Sequence, residues 1–324
     1  MRVLVTGSAG RIGRRVVALL LARGDTVTGF DLRSLRIRHP RYGEVIGAFD
    51  EPAAVTRAID GADAVLHLGA FMSWLPADAA RVMAANATGA FHLLGAAAAR
   101  NIRRFILAST GEVHPEVRPK YLPVDEEHPC EPLSVYGLSK LLAENSASFF
   151  ARTQGLPVTI LRFAHTQDAK ELLDPQSFFS GPRFYLRAKI RQQRAFNNAR
   201  ALAVLEPLDD GREKLLIQCA EDGTPYRMMI ADARDIADGV LLALDSPRAA
   251  GMTINLGPDR AIAFDAAVEV LHHATGLPVV RANLPGAPVN YETSNRRAKE
   301  LLGFAPKWNF EMMVADAPGL TPPE

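Results

Sequence analysis

The sequence predicts a doubly wound α/β domain on a Rossmann-type parallel sheet, joined to a smaller, discontinuous α+β lobe. Three observations carry that expectation. Short, almost wholly apolar β-type runs alternate with helical patterns through the first half of the chain, as a parallel sheet covered on both faces requires. The first run passes directly into a glycine-rich turn and then a helix. After Arg162 the alternation stops, and a differently built segment begins.

The elements follow in order. Residues 2–6 read as the first strand, and Gly7, Gly10 and Gly13 follow in a G-x-x-G-x-x-G spacing. Ile12, Val16, Leu19 and Leu20 then fall on one side of a helix. Strands are expected at 26–30, ending at Asp31, and at 45–47, 64–68, 105–108 and 158–161. Between 166 and 226 lie aromatic and basic clusters, the turn Asp209-Asp210-Gly211 and a short apolar run at 215–217, without the earlier period. A helix at 235–244 and a strand at 252–256 restore it, and two helical patterns and a Pro-rich tail close the chain. The expected division is a nucleotide-binding domain of residues 1–165 plus 232–258, and a substrate lobe of residues 166–231 plus 259–324.

A length of 324 residues suits a large core domain with a smaller partner. Thirty-seven Lys and Arg against 36 Asp and Glu leave a net charge of +1, which argues against nucleic acid or an anionic membrane as partner. Hydrophobic residues at 48% and charged residues at 23% are the proportions of a folded globule. Cys130 and Cys219 are too few for a disulfide framework and lack metal-ligand spacing, and His272 and His273 point apart on a helix, so no metal site is expected. No apolar stretch reaches the roughly 18 residues of a membrane span, and no leader pattern precedes the first strand. A cytoplasmic location is expected.

A phosphate needs closely approaching backbone N–H groups, which glycines permit, and a helix N-terminus adds partial positive charge. Gly7, Gly10 and Gly13, with Arg11 and Ile12 among them, supply both. Asp31 can accept both hydroxyls of an adenosine ribose. Arg33 could meet a 2′-phosphate instead, and the balance favours NAD over NADP. Tyr136 and Lys140 share a helix face, so an ammonium can favour a phenolate beside it. Bringing a phenol from about pKa 10 to near 7 takes roughly 4 kcal/mol, more than an exposed ion pair supplies. A buried site and a positively charged nicotinamide ring must share that task.

In order and spacing, the glycine turn, Asp31, Val65-Leu66-His67-Leu68-Gly69-Ala70, Asn86, Ser109-Thr110-Gly111-Glu112-Val113 and Tyr136-x-x-x-Lys140 resemble the extended short-chain dehydrogenase/reductases. The chain is similar to their NAD-dependent nucleotide-sugar epimerase/dehydratase branch, and the likeness continues through Leu161-Arg162, 222–227, Asn255-Leu256-Gly257 and 298–304. It implies NAD as cofactor and hydride transfer from a sugar carbon, with Tyr136 as general base and Lys140 also on the nicotinamide ribose. By the same resemblance Thr110 would hydrogen-bond the reacting hydroxyl. Leu68, Gly69, Ala70 and Asn86 would lie beside the cofactor, Asp50 near adenine, and Arg227 on a nucleotide diphosphate.

Departures from the pattern bear on the reaction. Gly111-Glu112 replaces the Asp-Glu of dehydratases, which speaks against 4,6-dehydration and leaves Glu112 an acid–base, decarboxylase or structural role. His165 replaces the usual Asn, as a substrate donor, a pocket wall or a packed side chain. Arg183, in an aromatic and basic stretch at 178–187, is a second candidate anion contact. The leading expectation is a nucleotide-sugar 4-epimerase of the UDP-glucose type. The alternatives are an NAD-dependent dehydrogenase of a free sugar or sugar acid, and a non-catalytic NAD-binding regulatory protein. A homodimer is expected through the helices around 78–100 and 134–152, the first presenting Ala79, Val82, Met83, Ala87, Phe91 and Leu94.

Overall fold

The computed structural model describes residues 1–319; the end of the Pro-rich tail, 320–324, lies outside the described residues. Six strands, β1 (Arg2–Thr6), β2 (Thr26–Asp31), β3 (Tyr42–Ile46), β4 (Ala64–His67), β5 (Arg104–Thr110) and β6 (Val158–Phe163), join a seventh at Thr253–Leu256. They form one sheet in the order seventh–β6–β5–β4–β1–β2–β3, and every neighbouring pair is parallel. The order reverses between β1 and β4, and ligands of such sheets bind at that crevice.

The sheet is covered on both faces, so its central strands carry apolar residues pointing both ways. Helix α1 (Arg11–Ala22) buries Val16, Val17, Leu20 and Leu21 on one face, beside Ile236 and Val240 of the helix Ala233–Asp245. On the other face Ile59, Leu93, Leu94 and Phe150 pack with Leu4, Phe30 and Phe105. Leu66 is wholly buried within the sheet, and its truncation to Ala would cost about 2–5 kcal/mol.

The second lobe has its own core, in which Phe184, Tyr185, Leu215, Phe264, Leu271, Phe310 and Met313 meet. The stretch without sequence period folds into four short helices, Ala169–Leu172, Ser180–Phe184, Leu186–Ala195 and Ala199–Leu205. The apolar run at 215–217 becomes the strand Leu215–Cys219, paired in parallel with Val279–Asn283. The chain crosses between lobes along a short parallel ladder, His165–Gln167 against Ile230–Asp232. One expected boundary is corrected. Ala298, Leu302 and Phe304 pack with Ile236 and Leu256 against the central sheet, because the helix Arg296–Leu302 turns its apolar side that way.

Candidate active site

A cleft of about 800 Å³ runs along the C-terminal ends of the strands, at the reversal between β1 and β4. Gly7 leaves β1 with φ +65°, and a Cβ there would stand 2.5 Å from Gly69 Cα. A Cβ on Gly13 would stand 2.0 Å from the Gly7 carbonyl oxygen. Neither spacing is open to a side chain, so β1, α1 and the turn after β4 close together only through glycine. Among the described residues no side chain caps α1 at Gly10, and its first N–H groups can meet a phosphate. Asp31 accepts the backbone N–H groups of Ala9 at 3.1 Å and Arg33 at 3.2 Å, which fixes its carboxylate at the rim. Ile12, Asp50, Leu68, Gly69 and Ala70 line the same end. So does Arg11, which forms a bidentate pair with Glu171 and lies 4.7 Å over the Phe179 ring.

Beyond this cradle the helix Val135–Gln154 begins at a firm cap, the Ser134 hydroxyl accepting the Gly137 N–H at 2.9 Å. That start places Tyr136 and Lys140 on successive turns lining the cleft, with Thr110 opposite at the end of β5. Burial pushes the Lys140 ammonium down to about 8. Burial and then the neighbouring Glu112 push the Tyr136 phenol above its ordinary value. Thr110 Oγ1 accepts the Glu112 N–H at 3.2 Å, which leaves its own O–H free to donate.

The reacting end is walled by aromatic rings. Trp74 stacks on Phe178 with centroids 5.5 Å apart, meets Phe179 edge-on at 6.1 Å and lies 5.9 Å from Tyr136. Trp74 Nε1 and the Ser134 hydroxyl each donate to Glu112 Oε2 at 2.9 Å. Burial and the charge of Glu116 push the Glu112 carboxyl up. Glu116, His165 and Tyr291 complete this end of the cleft. His165 Nε2 lies 2.6 Å from Glu116, and Arg183 donates to His165 Nδ1 at 2.9 Å.

A sequence model of the NAD dependent epimerase/dehydratase family matches residues 3–257. The chain belongs to this family. Among relatives, UDP-glucose 4-epimerase of Corynebacterium glutamicum is 26% identical, over 98% of this chain and 94% of the relative. L-arabinose 1-dehydrogenase (NAD(P)(+)) of Haloferax volcanii is 33% identical over 58% of this chain and 76% of its own. Among solved structures, a short-chain dehydrogenase/reductase superfamily protein of Agrobacterium tumefaciens with bound NAD is 50% identical. It superposes with a TM-score of 0.93, covering 98% of this chain and 96% of that one. As a member of the epimerase/dehydratase family the chain is an enzyme, and NAD is its cofactor. The glycine cradle, the uncapped helix and Asp31 fit that cofactor.

Within this family member most expected site residues meet in the one cleft, but four positions need correction. Asn86 does not line it. An unexpected π-turn at Ala84–Thr88 buries Asn86, whose amide exchanges hydrogen bonds with the Phe71 backbone at 2.8 and 3.0 Å and donates to Ser139 at 3.0 Å. It holds the turn after β4. Arg227 lies outside the lining, 45% exposed, and pairs with Glu292 at 2.9 Å. Arg183 lies behind the lining, bound to His165, the Phe179 carbonyl and Met228. His165 reaches the cleft, yet both ring nitrogens are engaged, so it is no substrate donor. Sequence reading missed Trp74 and Glu116. The second carboxylate in Glu112-Val113-His114-Pro115-Glu116 was a signal for the latter.

Proposed function

We propose that the chain is an NAD-dependent dehydrogenase that oxidises a hydroxyl of a small free sugar-like substrate. The observation carrying this reading is the placement of the two arginines expected on a nucleotide diphosphate: one pairs with Glu292 outside the cleft, the other is spent on His165. The side chains around the reacting position are short-range hydrogen-bonding groups and an aromatic wall instead. NAD, held by the glycine cradle and Asp31, would supply the hydride acceptor and a positive charge that favours a phenolate. Thr110 donates to the substrate oxygen, and the Tyr136 phenolate accepts the hydroxyl proton as the carbon's hydride departs. The Lys140 ammonium favours that phenolate. Asp31 disfavours a 2′-phosphate, which supports NAD over NADP.

Nucleotide-sugar 4-epimerisation is the second reading, favoured by the near full-length likeness to a UDP-glucose 4-epimerase. Absorbance at the NADH band separates the two. Accumulation with L-arabinose, D-galactose or D-galacturonate supports the dehydrogenase, whereas conversion of UDP-glucose without accumulation overturns it in favour of the epimerase.

We further propose a cytoplasmic homodimer. No helix among the described residues is long and apolar enough to cross a membrane, and both thiols are free. Phe91, Leu138, Leu142 and Phe149 are exposed together on the two expected helices, while Val82 and Leu94 are buried in their own fold and leave that face. A monomer mass at micromolar concentration would overturn the dimer.

A further inference from the structure

Glu116 lines the cleft with Thr110 and Tyr136, and the proposed proton and hydride transfer gives it no role. Its surroundings give it a defined direction. Arg183 donates from Nη2 to His165 Nδ1 at 2.9 Å and from Nη1 to the Phe179 carbonyl at 3.0 Å. A guanidinium only donates, so Nδ1 is the acceptor and the ring proton sits on Nε2. That Nε2–H donates to Glu116 Oε1 at 2.6 Å. Arginine, imidazole and carboxylate form one line of donors ending on Glu116. Its other oxygen, Oε2, has no protein partner among the described residues and is not sealed in the interior, so it opens to the cleft.

Glu112 is the complement. Both of its donors, Trp74 and Ser134, reach Oε2, while Oε1 has no partner among the described residues and is not sealed in the interior. Burial and the Glu116 charge favour a proton on Glu112, and Oε1 is where it fits. Glu116 itself is held below the ordinary carboxylate range, against its burial, by His165 and Arg183. Beside Thr110 and Tyr136 the cleft thus offers one carboxylate acceptor, Glu116, and a second carboxyl, Glu112, which donates from Oε1 when it holds a proton, with Trp74 as an apolar wall.

We propose that Glu116 is a substrate-binding carboxylate which, with Glu112, selects a substrate carrying a pair of uncharged hydroxyls next to the carbon being oxidised. The inference rests on the reading of the chain as a free-sugar dehydrogenase. One hydroxyl donates to Glu116 Oε2 while its neighbour accepts from Glu112. A carboxylate in the same place would face a buried like charge and be rejected.

The test compares wild type and Glu116→Gln on L-arabinose and D-galactose and on analogues of each deoxygenated beside the oxidised carbon, with the NAD Kd as the control for folding. Wild type should lose about 10- to 100-fold in kcat/KM on the deoxy analogue, because a carboxylate oxygen covered by the bound sugar is then left unpaired. Glu116→Gln should lose a similar factor on the parent sugar and discriminate parent from analogue by less than about threefold. Glu116→Asp should restore part of the discrimination. If Glu116→Gln fails to bind NAD, His165→Gln provides the same comparison, since it releases Glu116 without touching substrate. Full discrimination in a folded variant overturns this inference and leaves the dehydrogenase standing. Absence of NADH from every free sugar with wild type overturns both.

Discussion

At the cofactor end the cleft is made mostly of backbone: the glycine turn after β1, the uncapped N-terminus of α1 and the chain after β4. At the reacting end it is made of side chains from Trp74, Thr110, Glu112, Glu116, Tyr136, His165 and Tyr291, which the fold gathers from separate segments. The first kind of site depends on spacing within a few residues and tolerates little change in it. The second depends on packing between distant segments, so its side chains can be exchanged one by one while the cradle stays constant. This difference explains how one family architecture can serve both epimerases and dehydrogenases.

The largest separation between the two ends should come from Tyr136→Phe. It removes the proton acceptor without disturbing the cradle, so kcat should fall by about 10³-fold while the NAD Kd stays within a few-fold. Stopped-flow or steady-state NADH formation, paired with NAD titration, checks this. Retained turnover would mean that another group takes the proton.

Gly13→Ala addresses the opposite end. The added methyl would lie 2.0 Å from the Gly7 carbonyl oxygen, and the backbone has to move to admit it. Strain of roughly 3 kcal/mol corresponds to about 100-fold weaker NAD binding. Calorimetric titration that found unchanged affinity would remove the close-approach argument.

The contrast also accounts for what was legible in the sequence. The sheet, the glycine turn, Asp31 and the Tyr136–Lys140 pair each announce themselves through a local period or spacing and are found there, except that the third strand, expected at 45–47, runs Tyr42–Ile46. Asn86, Arg183 and Arg227 do not, because their partners are Phe71, His165 and Glu292, which no local pattern brings near. Glu116 is an acid in a loop until the fold sets His165 against it. The helix Arg296–Leu302 packs on the central-sheet core for a related reason: its apolar stripe is legible, but which core receives it is a tertiary outcome.

Lys140→Met separates function from stability. Burial depresses the folded value to about 8, below that of the unfolded chain near 10.4. Below about pH 8 both states hold the proton and the cost of the buried charge is fully present. Between pH 8 and 10.4 the unfolded chain binds more protons, so stability rises with pH. The variant should therefore lose activity yet gain on the order of 1–3 kcal/mol of stability at pH 7, a gain that shrinks above pH 8. Denaturant midpoints at pH 7 and 9.5 test the sign, and an equal gain at both would refute the titration.

The smallest expected effect concerns the joint between the ends. Helix α1, which opens the phosphate cradle, carries Arg14 and Arg15, and both pair with Asp168, Arg15 at 2.7 Å. Asp168 follows closely on His165 and the interlobe ladder, so the clamp ties the backbone-built end to the segment that carries the side-chain-built end. These are partly exposed ion pairs, each worth about 1 kcal/mol or less, and Asp168→Asn should lower stability by only about 1–2 kcal/mol. Its effect on function should be uneven. Gly7, Gly10 and Gly13 keep their contacts without Asp168, so NAD affinity should hold. His165 and Glu116 lose a fixed reference to α1, and the substrate KM should rise by roughly two- to fivefold, an energy of less than about 1 kcal/mol. A rise in the NAD Kd with the substrate KM unchanged would reverse the assignment, and would place the clamp with the cradle rather than with the substrate end.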